Sequence, residues 1–422
     1  MTASYSIRDL SREHIILFAL CALLIYMVLG TGHSSFYNAY FISNLETIFV
    51  SFYILISLKK ISLALPDIKM HKSTILILGL WVLSVLYSYY FSPFYTEQNV
   101  YAFSRLYETF MHVAFFISIW HYLKNTNIEV SYLFYTIVFS TLVVAIYFYY
   151  HWINHMWDSF GVSLNDPPLN SHVRHTGYQA EAALSFFSFF LLKNRKKYSM
   201  TFTHVMFFIF LWGFLFWLGG RGTVLSAFTS FLCIAYILKY KGINYKRFLK
   251  ITLLAIIIAM PISELLVVFP WNGLIDSYQR SISSESISQL SAGRIFLWTS
   301  ALESLNNNIL FGLGPEGYYL TGKKLLGTVQ PHNVLIQFLI EWGVIGTGLF
   351  ILLLAKAIWA GIKLHVLNKD KSLSPTALAA GAVICTLSIN ALTDGTYYHP
   401  QPSVYLAIAF AIWVLPARQD KI

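Results

Sequence analysis

Apolar residues recur along this chain in long runs, and the polar residues gather in the segments between them. A bilayer core about 30 Å thick needs about 20 helical residues to cross it. That ruler predicts about twelve spans, over 14–31, 37–58, 74–92, 102–123, 131–150, 176–192, 201–219, 222–239, 248–270, 333–362, 375–393 and 402–416. The sixth, rich in Phe, and the tenth, overlong and interrupted by Gly343, Gly346 and Gly348, fit the ruler least well. Arg8 and Arg12 precede the first run, and no small-residue cleavage site follows it, so the first span is expected to be retained.

Composition agrees with the pattern. Of 422 residues 57% are hydrophobic and only 11% charged, and the mean hydropathy is +0.60. A soluble domain carries roughly a quarter charged residues, so this chain is expected to be one all-α, polytopic membrane domain over 1–422. Cys21, Cys233 and Cys385 all fall inside apolar runs, without the spacing of a disulfide framework or zinc site, and read as packing residues.

The net charge of +10 first serves orientation rather than nucleic acid. With the N-terminus placed in the cytoplasm, Lys59, Lys60, Lys69, Lys72, Lys124, Lys193, Arg195, Lys196, Lys197, Lys239, Lys241, Lys246, Arg247, Lys250, Lys363, Lys369, Lys371, Arg418 and Lys421 fall inside. Arg105, Arg174, Arg221, Arg280, Arg294, Lys323 and Lys324 remain outside. An even number of spans returns the C-terminus to the cytoplasm. On the outer side two connections are long, 151–175 and 271–331, and a loop of the second length is expected to carry function. Within it, Ser291 to Leu305 places Ile295, Phe296, Trp298, Leu302 and Leu305 on roughly one side of a helix, a pattern suited to lying on the bilayer or against the spans.

The outer cations need a reason that topology does not supply. Arginine offers a planar fork of donors that grips phosphate bidentately and never loses its charge, so outer arginines suit a lipid-linked diphosphate. Arg221, in the Gly-flanked turn LGGRGTV, is the sharpest candidate; as bland alternatives it caps a helix end or snorkels to headgroups. Arg294 in SAGR comes next, with interfacial anchoring as the alternative, and Arg174 in HVRHTGYQ, Arg105 and Arg280 are weaker still. His332 follows Pro331 at the predicted start of a span, where an imidazole can take a proton from a sugar hydroxyl; hydrogen bonding to nearby backbone is its plainer role. Asn333 lies beside it. Glu341, nine residues on, would lie about 13 Å deeper, where a buried carboxylate that holds a helix in place is the favoured reading. Asp394, Tyr397, Tyr398 and His399 in DGTYYHPQP are polar and aromatic groups able to line a sugar site, or simply belt residues. There is no GxxxxGK[ST] loop, DxD pair, HExxH or GxSxG, so the energy for group transfer is expected to come from an already activated lipid substrate.

The long outer loop, the GGRGT turn, the SAGRxxxW stretch, FGLGPEGY and the HNxxxxxxxExGxxG run together resemble the bacterial O-antigen ligase and polymerase superfamily, with the motifs between Gly219 and Gly346. Length and loop size look most like the ligase branch, which attaches undecaprenyl-diphosphate-linked polysaccharide to lipid A core oligosaccharide at the periplasmic face of the Gram-negative inner membrane. The resemblance implies that Arg221 and Arg294 hold the donor diphosphate and that His332 is the base; Arg174 joins the two arginines as a further diphosphate candidate. Asn333, Glu341 and His399 are candidate supporting residues. It further implies no metal, no cofactor, inversion at the anomeric carbon, and donor, acceptor and membrane lipids as partners, with no nucleic acid. An O-antigen polymerase, a related oligosaccharyltransferase acting on pilin, and a transporter or flippase stay open as alternatives; the last would place charges near the midplane and show symmetry between halves.

Overall fold

The computed structural model describes residues 7–30, 35–58, 72–95, 99–155, 173–193, 202–267, 273–286, 289, 291, 293–326, 330–368 and 373–416. These are helical throughout the bundle, with no strand among the described residues. Nine helices come first: α1 (Ile7–Leu29), α2 (Ser35–Leu58), α3 (Lys72–Tyr90), α4 (Asn99–Asn125), α5 (Ser131–His155), α6 (Val173–Lys193), α7 (Phe202–Trp217), α8 (Arg221–Tyr240) and α9 (Tyr245–Leu265). The large loop contributes α10 (Leu274–Ile282), α11 (Arg294–Glu303) and α12 (Gly317–Leu326). Then follow α13 (Val334–Gly361), which runs into a wider π-helical turn over Ile362–Leu367, α14 (Pro375–Asn390) and α15 (Pro400–Trp413).

Each of the twelve predicted segments overlaps a helix, and among the described residues seven helices are long and apolar enough to cross a membrane: those of α1, α2, α3, α5, α8, α9 and α13. α7 and α14 are apolar but shorter. α6 explains why its hydropathy is weak. From Thr176 to Leu192 every residue is buried, so its polar groups meet protein partners instead of lipid: Gln179 donates to Thr141 Oγ1 at 3.2 Å and accepts from Gln401 at 3.3 Å. Glu181 accepts from Ser226 Oγ at 2.6 Å and Asn390 Nδ2 at 2.7 Å. A central helix satisfied this way escapes the penalty of polar groups in hydrocarbon. Cys233 and Cys385 face each other across α8 and α14 as thiols, their sulfurs 3.9 Å apart.

The break expected in the tenth span is present at Gly343, which leaves helical geometry at φ 66°. The carbonyls and amides freed there are taken by the large loop. Leu313 N donates to Ile340 O at 2.6 Å, Gly314 N to Glu341 O at 3.0 Å, and Val344 N to Ile309 O at 2.9 Å. A Cβ on Gly343 would lie 2.3 Å from the Leu310 carbonyl, and one on Gly312 2.6 Å from the α13 backbone. The glycines of FGLG and ExG therefore let two backbones clasp. α11 docks on α13 through buried Ala301 and Leu305, whereas Ile295, Phe296 and Leu302 are exposed. The single apolar face read from 291–305 is thus split, because only part of it meets the bundle.

Contacts tie the predicted outer segments to one end of the bundle. The start of α4 meets the 394–399 turn, the start of α6 meets His399, and the α7–α8 turn meets α10 and the 390–393 segment. At the other end, Lys193 pairs with Glu129 at 2.7 Å, Lys241 donates to Asn368 O at 2.7 Å, and His365 is bonded to Trp413 O. The Lys193 ammonium draws the Glu129 carboxyl below its ordinary range by hydrogen bonding. Lys59, Lys60, Lys69, Arg195, Lys196, Lys197, Lys369, Lys371, Arg418 and Lys421 lie outside the described residues, as do the side chains of Arg174, Lys323 and Lys324.

Candidate active site

The GGRGT turn is shaped by close approach. Gly219 has φ 66°, and its carbonyl accepts from Ser277 Oγ of α10 at 3.2 Å. A Cβ on Gly222 would lie 2.8 Å from Thr393 Oγ1 and 3.0 Å from Asn390 Oδ1, so only glycine lets α8 begin against the end of α14. Arg221 is the first residue of α8, half-buried, and its Nη1 donates to Ser281 Oγ of α10 at 3.0 Å. Arg294 likewise opens α11, behind Gly293 at φ 75°. Neither helix start has a side-chain cap. A cation at a helix N-terminus opposes the helix dipole, while amides and guanidinium together favour an anion.

His332 lies between Pro331 and Asn333 with φ 53°, one of two described non-glycine residues in the left-handed region. Such a backbone costs about 1–3 kcal/mol and persists only where neighbours fix it. The neighbours are plain to see. Trp298 Nε1, one helical turn beyond Arg294, donates to Pro331 O at 2.8 Å. Asn333 caps α13 by accepting from Leu335 N and Ile336 N at 3.0 and 3.2 Å, and its Nδ2 donates to Leu392 O at 3.0 Å. Val334 N donates to Ala391 O at 3.0 Å. So held, His332 Nδ1 lies 3.0 Å from Asp394 Oδ1. Asp394 is buried, and its Oδ1 also accepts from Gly395 N at 3.0 Å. The Asp394 turn is in turn held by Asn390, whose side chain reaches the buried Glu181. The pair orients the ring with Nδ1 toward the carboxylate and Nε2 on the far side.

His399 directly precedes α15, without a side-chain capping bond, and its Nε2 lies 3.0 Å from Gln330 Nε2. Its ring is 4.4 Å from His175 and 5.5 Å from Tyr178 of α6. Arg174 directly precedes His175, so the start of α6 belongs to the same end. The structure thus gathers His332, Asn333, Asp394 and His399, with the α8 and α11 starts tied to them through Thr393 and Pro331.

Glu341 stands apart. It is buried, accepting from Glu316 N at 3.0 Å and Gln337 Nε2 at 2.6 Å. Glu316 is the other non-glycine residue at positive φ, 61°. Its carboxylate accepts from Arg105 Nε at 3.0 Å, while Arg105 Nη1 donates to Glu108 Oε2 at 2.7 Å and to Tyr398 O at 2.8 Å. The guanidinium lies 3.5 Å above the Tyr398 ring. Burial holds the Tyr398 phenol well above its ordinary range, against the pull of Arg105. Next along α4, His112 pairs with Glu46 at 2.8 Å and lies 3.5 Å from Glu108. Arg105 is therefore a bracing residue, and Arg280 pairs with Asp276 at 3.0 Å.

Sequence reasoning named Asp394 only as polar lining and missed its pairing with His332; it also missed Glu181, Gln330, His175 and Tyr178. A carboxylate in so apolar a run as 176–192 was a signal for Glu181. Among the described residues no group of three or more His, Cys, Asp or Glu is placed to hold a metal ion.

The family model described as O-antigen ligase matches residues 205–351, about a third of the chain, with Arg221, Arg294, His332, Asn333 and Glu341 inside it. No curated protein matches the chain. Through that matched stretch, which holds the GGRGT, SAGR and HN motifs, the chain is similar to the O-antigen ligase family of glycosyltransferase-type membrane proteins, and it carries several apolar helices.

Proposed function

We propose that the chain is an O-antigen ligase, transferring undecaprenyl-diphosphate-linked O-antigen polysaccharide to lipid A core oligosaccharide at the periplasmic face of the inner membrane. In this reading twelve helices span the bilayer and both termini are cytoplasmic. The observation that carries it is the His332–Asp394 pair, 3.0 Å apart, set at the end of the bundle where Arg221 and Arg294 each open a helix.

Asp394 fixes the imidazole so that Nε2 takes the proton from the acceptor hydroxyl as its oxygen attacks C1 of the donor sugar. The C1–O bond to the diphosphate breaks on the opposite face, which inverts the anomeric centre. Arg221 and Arg294, and with them Arg174, meet the charge that grows on the departing lipid diphosphate. The scheme closes without nucleotide or metal, because the donor arrives activated. Asn333 sets the His332 backbone, His399 lines the sugar side, and Glu341 holds the loop through Glu316.

Purified protein in vesicles, given lipid-linked glycan and lipid A core, is expected to form the conjugate and release lipid diphosphate. Lengthened lipid-linked glycan in place of conjugate marks a polymerase, and glycan moved across the vesicle without bond formation marks a transporter. Arg221→Ala should insert normally yet lose transfer by roughly 10²–10³-fold; unchanged transfer removes Arg221 from the site.

A further inference from the structure

Helix α10 has three unlike faces. Ser277 and Ser281 meet the protein, at Gly219 O and Arg221 Nη1. Asp276 and Arg280 form an ion pair with side chains 29% and 44% exposed. Ile275, Tyr278 and Ile282 are 54%, 65% and 65% exposed. At 3.6 residues per turn these three sets lie roughly a third of a turn apart. A helix on a water-facing surface buries its apolar stripe and exposes its serines. Here the serines are covered and the apolar stripe is left out.

The stripe also continues a surface. α9 is one of the helices long and apolar enough to cross a membrane, and its end exposes Ile262, Leu265 and Leu266. Glu264, in that same last turn, accepts from Leu274 N and Ile275 N at 2.5 and 3.0 Å, which pins the start of α10 to the end of α9. Gly273 makes the turn between them at φ 90°, where a Cβ would lie 2.8 Å from Val267.

We propose that α10 is seated in the bilayer interface, with Ile275, Tyr278 and Ile282 among the acyl chains of the leaflet on the large-loop side and Asp276 with Arg280 in the water above. One protein flank, one ionic flank and one apolar flank are what a helix at that boundary requires. Arg221, hydrogen-bonded to α10, then lies at the level of lipid phosphates. A lipid-linked diphosphate reaches it by sliding along the leaflet, a consequence that rests on the ligase reading, whereas the seat of the helix does not.

The test is spin-label accessibility in the full chain with Cys21, Cys233 and Cys385 each replaced by Ser, in phosphatidylethanolamine and phosphatidylglycerol vesicles. Labels at Tyr278→Cys and Ile282→Cys should be relaxed by oxygen and shielded from a water-soluble nickel chelate, and a label at Asp276→Cys should show the reverse. Equal nickel accessibility at the three positions overturns the proposal, and so does label-to-label coupling between copies at 278, since a second copy would then cover the stripe. The readout needs no turnover. An aqueous α10 in a protein that still ligates sinks this inference alone, and a lipid-seated α10 in a protein that does not ligate sinks only the ligase reading.

Discussion

Around Arg105 and around His332 the same end of the bundle carries charge in two different ways. Arg105 divides its donors between Glu108, Glu316 and the Tyr398 carbonyl and rests on the Tyr398 ring, in surroundings where Glu108 and Glu341 are buried. His332, Arg221 and Arg294 are each partly exposed, and the Arg221 fork meets a neutral hydroxyl on α10. A guanidinium saturated by carboxylates ties segments of chain together; one that opens a helix at a partly exposed rim is placed to meet an incoming anion. Arg105, braced by carboxylates, thus differs from Arg221 and Arg294, which are proposed to hold the diphosphate, although their positions in the sequence put all three in one class.

The comparison can be broken first at the brace. Arg105→Ala leaves Glu316 without its cation and Glu108 with His112 alone, and removing one partner of a buried ion pair costs about 3–5 kcal/mol. Thermal unfolding in detergent should show a large drop, and Arg105→Lys, which keeps charge but not the fork, a smaller one. A variant as stable as the wild type would return Arg105 to the ligand-binding class. On the catalytic side Asp394→Asn should leave unfolding nearly unchanged but slow transfer by roughly 10²–10⁴-fold, because the ring loses the partner that sets its tautomer. Loss of stability with transfer per folded molecule intact would make the pair structural. The smallest effect is expected at Asn333→Ala. Loss of a helix cap costs about 1 kcal/mol, visible as a modest fall in the unfolding midpoint, and a fall as large as that of Arg105→Ala would show that the His332 turn is itself a main brace.

Much of the fold was legible because lipid imposes a simple pattern. Runs of about twenty apolar residues predicted helices wherever they occur, and of the three glycines expected to interrupt the tenth span only Gly343 breaks α13, while Gly346 and Gly348 stay helical. α6 was hard to read since it hides from lipid altogether, so Glu181 and Gln179 answer to protein partners that a hydropathy window does not see. The site was legible in its single residues and not in its pairings. His332 and Asp394 are 62 positions apart, and Arg105 and Glu316 are 211 apart. Nothing local in the sequence marks which carboxylate meets which cation. Helix packing decides that, which is why Asp394 was read as lining and Arg105 was grouped with Arg221.

The most direct test of the central claim, that His332 removes the acceptor proton at a site where arginines hold the diphosphate, is single-turnover transfer by His332→Ala with donor binding measured in the same vesicles. The account predicts donor affinity close to that of the wild type, with the bond-forming step slowed by roughly 10²–10⁴-fold. Transfer at the wild-type rate, or a loss of donor affinity equal to the loss of rate, would contradict it.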